Sequence, residues 1–240
     1  MSIVLCRETF LCYFVDMEIE RILKDVSGLP SNWHGAGSLQ ERVLRAIVRH
    51  GLAQQPRITA ETGSGKSTLL FSHLSPRHLV FAMDDGNGSV ERVRESELLH
   101  PGTVEFVEGP TQRTIPAAEL PDALDIVMLD GPHGYPFPDL EYYYFYPRIP
   151  EGGLLIVDDI DIPTIHNLFR FLKKDAMFDL LEVVHTTAFF RRTGAPTFDP
   201  LADGWWNQAY NRRKKIVDWS PASIAVALIP RSVRKALQKA

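Results

Sequence analysis

The rhythm of apolar positions changes at Arg57, and the change divides the chain. Ahead of it, hydrophobic residues recur at helical spacing. Met17 to Val26 predicts a short helix, and Ser38 to His50 a second, capped by Ser38, with Val43, Ile47 and Val48 on one face. Gly28 to Gly37, containing Pro30, forms the loop between them. Beyond Arg57, short apolar runs alternate with helical segments. Strands are predicted at Ile58 to Ala60, His78 to Met83, Thr103 to Val107, Leu124 to Leu129 and Leu154 to Val157. Two further strand-like runs follow, Asp179 to Val184 and Thr187 to Arg192. Helices are predicted at Lys66 to Leu74, Val90 to Leu98, Leu140 to Pro147 and Ile165 to Lys174. The unbroken apolar runs ending at Leu129 and Val157 suit strands covered on both faces. This alternation predicts an α/β sandwich of three layers around a mostly parallel sheet. Ligands of such sheets bind beyond the carboxyl ends of the strands, where strand order reverses.

A hydrophobic content of 45% over 240 residues supports one substantial core. We divide the chain into an N-terminal helical cap (1–56), a core (57–194) and a C-terminal extension packed on it (195–240). No run of about 18 apolar residues suggests a spanning helix. Met1 to Phe14 is broken by Arg7 and Glu8 and does not read as a signal peptide. Cys6 and Cys12 make neither a disulfide framework nor a zinc site, so a reducing cytoplasm is expected. The net charge of −4 conceals an asymmetry. Thr186 to Ala240 holds ten Lys/Arg against three acids, and the remainder 16 against 27. The bland reading of the basic end is a solvated face; the sharper one is attraction to an anionic surface. Ile224 to Leu237 alternates apolar and basic residues, which makes contact with a membrane surface the lesser alternative. No nucleic-acid partner is expected, and a homo-oligomer is left open.

Chemistry concentrates at predicted strand ends: Glu61 to Gly65, Asp84-Asp85, Asp130 and Asp158-Asp159. The first of these reads two ways. From Ala60 to Ser67 it is a relaxed phosphate loop, in which Lys66 and Ser67 would meet phosphate and Mg²⁺. A P-loop NTPase would follow. From Glu61 it is an acid followed by Gly63 and Gly65, a turn suited to an adenosyl ligand. Three features favour the second reading. Ala60 stands where a phosphate loop begins with glycine, and Glu61 would put a negative charge among phosphates. Asp84 follows Glu61 by 23 residues, the distance at which a ribose-binding acid belongs. Pro150-Glu151-Gly152-Gly153 makes a tight turn at the opposite rim, which nucleotide hydrolysis does not require.

Glu61-Thr62-Gly63-Ser64-Gly65, Asp84-Asp85, Asp130-Gly131-Pro132-His133, and Pro150 to Gly153 with Asp158-Asp159, in that order, resemble class I S-adenosylmethionine-dependent methyltransferases. Within the class, the chain is most similar to the metal-dependent O-methyltransferases that act on catechols and macrolide sugars. The likeness spans Arg57 to Gly194 and departs at Ser67, where the family often has a third glycine. It implies a Rossmann-like, seven-stranded sheet with an antiparallel last strand, and S-adenosylmethionine as methyl donor. It also implies a small hydroxylated acceptor such as a sugar or polyol.

The resemblance further implies roles. Glu61, Thr62, Gly63, Ser64, Gly65 and Ser67 would bind the donor; Asp84 or Asp85 would hold its ribose, and Thr111 would lie at its adenine. Asp130, Asp158 and Asp159 match the family's Mg²⁺ ligands, with Asp130 also facing the donor. The alternative leaves Asp130 in solvent contact and makes Asp159 a helix cap. His133 stands where the catechol enzyme has its basic lysine, and imidazole chemistry suits proton abstraction. Tyr135, Phe137 and Tyr142 to Tyr146 are read as acceptor-pocket walls or as core. Trp205-Trp206, Tyr210 and Arg212 to Lys215 are read as a cover over the acceptor or as tail packing.

Overall fold

The structure is a computed structural model, and residues 17–30, 33, 38–84, 86, 88–198 and 208–212 are described. Met1–Thr197 forms one compact unit and Phe198–Ala240 a second. The described part of the second includes the short helix α8 (Ala209–Arg212).

In the first unit, α1 (17–28) and α2 (Glu41–Gln54) precede the sheet. Then follow β1 (Ile58–Thr62), α3 (Lys66–Leu74), β2 (Arg77–Ala82), α4 (Ser89–Arg94), β3 (Val104–Glu108), α5 (Thr111–Ala117) and β4 (Ile126–Leu129). The unit closes with α6 (Phe137–Phe145), β5 (Leu154–Val157), α7 (Pro163–Leu172), β6 (Phe178–Val184) and β7 (Thr187–Arg192). The strands form one seven-stranded sheet in the order β3-β2-β1-β4-β5-β7-β6. The neighbours from β3 to β5 pair in parallel, whereas β7 runs antiparallel to both β5 and β6. The expected sheet is therefore present, with its last strand the reversed one.

Strand alternation builds the two faces. Ile126, Met128, Leu154 and Ile156 pack with Val43, Ile47 and Phe71 from α2 and α3. Val127, Leu129, Leu155 and Val157 pack on the other side with Ile115, Phe145 and Leu168 from α5, α6 and α7. Ile19, Ile22 and Leu23 of α1 join Leu69 and Leu70 of α3. Two expectations shift here. Ser38 does not cap α2; Gln40 occupies that position without a side-chain bond. A helix that the sequence pattern did not predict opens at Thr111, after Pro110 in extended geometry.

Strand order reverses between β1 and β4, which are neighbours although β2 and β3 intervene in sequence. The crevice at their carboxyl ends is where this architecture places ligands.

Candidate active site

At that crevice lies a cavity of about 620 Å³, lined among others by Gly63, Ser64, Gly65, Ser67, Thr111, Asp130, His133, Asp158 and Asp159. The turn after β1 approaches β4's loop closely. Gly63 has φ +89°, and a Cβ there would sit 2.4 Å from the Asp130 carbonyl oxygen. Only glycine satisfies both the left-handed backbone and the contact. The α3 N-terminus follows at once, presenting amides of the kind that bind anionic groups.

β1 ends in two polar residues that point to opposite faces. Glu61 is fully buried, pairs with His78 Nε2 at 3.1 Å and accepts a bond from Thr68 Oγ1. Thr62 faces the other way, donating to Glu141 Oε2 at 2.8 Å and accepting the Asp130 amide at 3.1 Å. Neither Glu61 nor Thr62 lines the cavity, so both sit behind the turn that does. Lys66 supplies the test of the phosphate-loop alternative. Its Nζ donates to the Leu29 carbonyl at 2.8 Å, and burial lowers its pKa. The ammonium is committed to the protein's own backbone.

Asp84 lies just past β2, but its Oδ1 accepts the Gly86 and Gly88 amides, each at 3.0 Å. Its contact with Glu91, followed by the Gly88 amide, lowers its pKa. Met83, not Asp84, lines the cavity. Asp85 lies outside the described residues, as do Trp205-Trp206, Arg213 to Lys215, Ile224 to Leu237 and both cysteines.

The acidic end of the cavity is tightly grouped. Asp130, His133 and Asp159 offer ligand atoms within 4.8 Å of one another. His133 Nε2 is 3.1 Å from Asp159 Oδ2 and 4.0 Å from Asp130 Oδ1. Thr164 Oγ1 holds the His133 carbonyl. Asp158, the third acid expected at a cation, accepts a bond from Thr187 Oγ1 and stands outside that group. Burial first, then Asp158 and Asp159, push the Asp130 carboxyl well above its ordinary range. Burial likewise raises Asp158. The bond to Asp159 raises His133, against the opposing effect of burial. Asp159 itself adopts φ +52°, an unusual conformation for a residue with a side chain.

The aromatic segment divides. Phe137 lines the cavity and Tyr135 is 75% exposed, whereas Tyr142, Phe145 and Tyr146 are core. Tyr142, Phe145 and Tyr146 as acceptor walls are thus corrected, because α6 turns them against α7 and the sheet; Tyr143 is exposed, and neither it nor Tyr144 lines the cavity. Two buried residues behind the cavity were not singled out from the sequence. Glu141 is 2% exposed, with burial raising its pKa to about 7. His78 is fully buried and stacks on Phe71. An acid inside an aromatic helix was a usable signal for the first; nothing local marked the second.

A family model described as a methyltransferase domain matches residues 60–160. No curated protein matches the chain by sequence. Among solved structures, the O-methyltransferase NovP superposes with a TM-score of 0.60 at 17% identity, over 75% of this chain and 99% of that one. TomG from Streptomyces achromogenes, an O-methyltransferase of tomaymycin synthesis solved with its donor, gives 0.55 at 15% identity, over 72% and 90%. The methyltransferase PaMTH1 of Podospora anserina, bound to S-adenosylhomocysteine, gives 0.53 at 14% identity, over 80% and 96%. These identities speak to fold, and the family match speaks to the domain. Residues 60–160 thus match a methyltransferase domain, and the sheet that carries them has the fold of these solved O-methyltransferases.

Proposed function

We propose that the protein transfers a methyl group from S-adenosylmethionine to a hydroxyl oxygen of a small molecule, a sugar or polyol in our reading, in the cytoplasm. The observation that carries this is the convergence of the Gly63–Ser67 turn with Asp130 and His133 on one cavity, while Lys66 is tied to Leu29. Glycine turn and helix start accept the donor's methionine end; Thr111 marks the far wall. The donor supplies a sulfonium-activated methyl. The C–S bond breaks as the O–CH₃ bond forms, and the acceptor proton must leave.

The His133 imidazole is the group we assign to that proton, through the ring nitrogen that does not face Asp159, whose carboxylate stabilises the imidazolium. General-base help contributes roughly 10²–10⁴ in rate. Alignment of the reacting atoms contributes about 7–11 kcal/mol. Positioning is therefore the larger share, and it falls to the rigid turn at Gly63 and the loop from Asp130 to His133. The oxygen donors at the acidic end fit a hard divalent cation such as Mg²⁺. Asp130 and Asp159 would hold it beside His133; Asp158 would need to leave Thr187 to join them. Such an ion would lower the pKa of an acceptor hydroxyl.

Calorimetry with S-adenosylhomocysteine and with ATP plus Mg²⁺ tests the proposal. Binding of the adenosyl ligand alone is expected. Tight ATP binding without it would overturn the reading in favour of the phosphate loop.

A further inference from the structure

A chain of buried polar contacts runs from β2 to the cavity wall. His78 is fully buried on β2, its ring stacked on Phe71 with centroids 4.9 Å apart. Its Nδ1 lies 2.8 Å from Thr59 Oγ1 and its Nε2 3.1 Å from Glu61 Oε1. With a carboxylate facing Nε2, that nitrogen carries the proton, and Nδ1 accepts from the Thr59 hydroxyl. The same Glu61 oxygen accepts from Thr68 Oγ1, and Thr68 Oγ1 in turn accepts the Gly65 amide at 2.9 Å. Gly65 lines the cavity; Thr68, Glu61 and His78 do not. Every link between the imidazole and the cavity wall is thus made by a side chain sealed from solvent.

We infer that His78, acting through Glu61 and Thr68, is a positioning residue that fixes Gly65 and the start of α3 in the conformation that receives the methyl donor. The inference rests on the donor site proposed above. Its physical basis is pre-organisation. A glycine turn has many conformations, and binding one of them costs the ordering of the rest. Thr68 removes that cost in advance by occupying the Gly65 amide. Glu61 orients the Thr68 hydroxyl, because a carboxylate can only accept. His78 keeps the buried carboxylate paired, without which it would be expensive to hold there. The arrangement also accounts for the phosphate-loop likeness. The threonine after Lys66-Ser67 turns inward as a helix-start acceptor.

The test uses the full chain. Thr68→Val keeps the shape and removes the hydroxyl; Thr68→Ser keeps the hydroxyl; His78→Phe keeps the ring stack and removes both nitrogens. Ser72→Ala, a buried change on the same helix that leaves the network intact, is the control. Two readouts are taken: the Kd of S-adenosylhomocysteine, and amide hydrogen exchange at Gly65. Losing about one net hydrogen bond of pre-organisation corresponds to roughly tenfold in Kd. Thr68→Val and His78→Phe are expected to weaken binding by about that factor and to speed Gly65 exchange, with Thr68→Ser near wild type. If Gly65 exchange and affinity stay unchanged, or Ser72→Ala moves them equally, the positioning role is refuted. Should His78→Phe fail to fold, Thr68→Val against Thr68→Ser decides alone. Absence of S-adenosylhomocysteine binding by the wild-type chain would refute the donor reading and this role with it, whereas the exchange data would still report the wiring.

Discussion

Glu141→Gln should make the protein more stable at alkaline pH while leaving its acidic stability alone. Glu141 is buried on α6, bonded to Thr62 and with its other oxygen unpartnered, and burial lifts its pKa from 4.5 to about 7. A carboxyl whose pKa is raised by folding stabilises the fold fully below the unfolded value. That contribution is lost as pH rises through the folded value, here between 4.5 and about 7. The shift corresponds to roughly 3 kcal/mol of strain carried by the charged form at pH 8. Gln keeps an oxygen for the Thr62 hydroxyl, and the charge-assisted strength of that bond is already contained in the shift. A gain of about 3 kcal/mol is expected, or roughly 6–12 °C in Tm for a domain of this size. Urea unfolding of both proteins at pH 4 and pH 8 measures it. The difference between them isolates Glu141 from Asp130 and Asp158, whose carboxyls are raised as well. A variant less stable at pH 8, or a difference that does not change with pH, would refute the burial argument.

Other consequences are as direct. Gly63→Ala must place a Cβ on the Asp130 carbonyl at φ +89°, so a loss of about 1–3 kcal/mol by urea unfolding is expected, together with loss of S-adenosylhomocysteine binding by calorimetry. His133→Ala should leave donor affinity within a factor of about two and slow single-turnover methyl transfer by roughly 10²–10⁴. An unchanged rate would remove its role as proton acceptor. Titrating Mg²⁺ into chelator-treated protein should restore turnover, with Asp130→Asn and Asp159→Asn losing that response; full activity in chelator would end the cation assignment.

Much of the scaffold was legible because it depends on local periodicity. Lys66–Leu74 and Thr187–Arg192 fall where the pattern put them, since the apolar spacing of a helix and the short apolar run of a buried strand are each written into a few consecutive residues. The glycine turn, Asp130, His133 and Asp159 were legible as strand-end chemistry and do meet around one cavity. What stayed hidden depends on distant partners. Glu141 matters because it meets Thr62, 79 positions away, and His78 because it meets Glu61, 17 away. Glu61 itself shows how a correct motif can carry an incomplete geometry. β1 continues through Thr62, two residues past Ala60, and strand alternation therefore directs Glu61 into the interior. Asp84 differs in another way: one of its two oxygens is already held by the loop amides of Gly86 and Gly88.

The bond from Lys66 to the Leu29 carbonyl bears on how shortened versions of the protein should be judged. Trimming the chain past α1 and Leu29 would strip the ammonium of its acceptor and return a free cation to the cavity rim. A truncated preparation that captures ATP would then be reporting the cut, not the native ligand. Nucleotide screens are best run on protein that keeps its first helix.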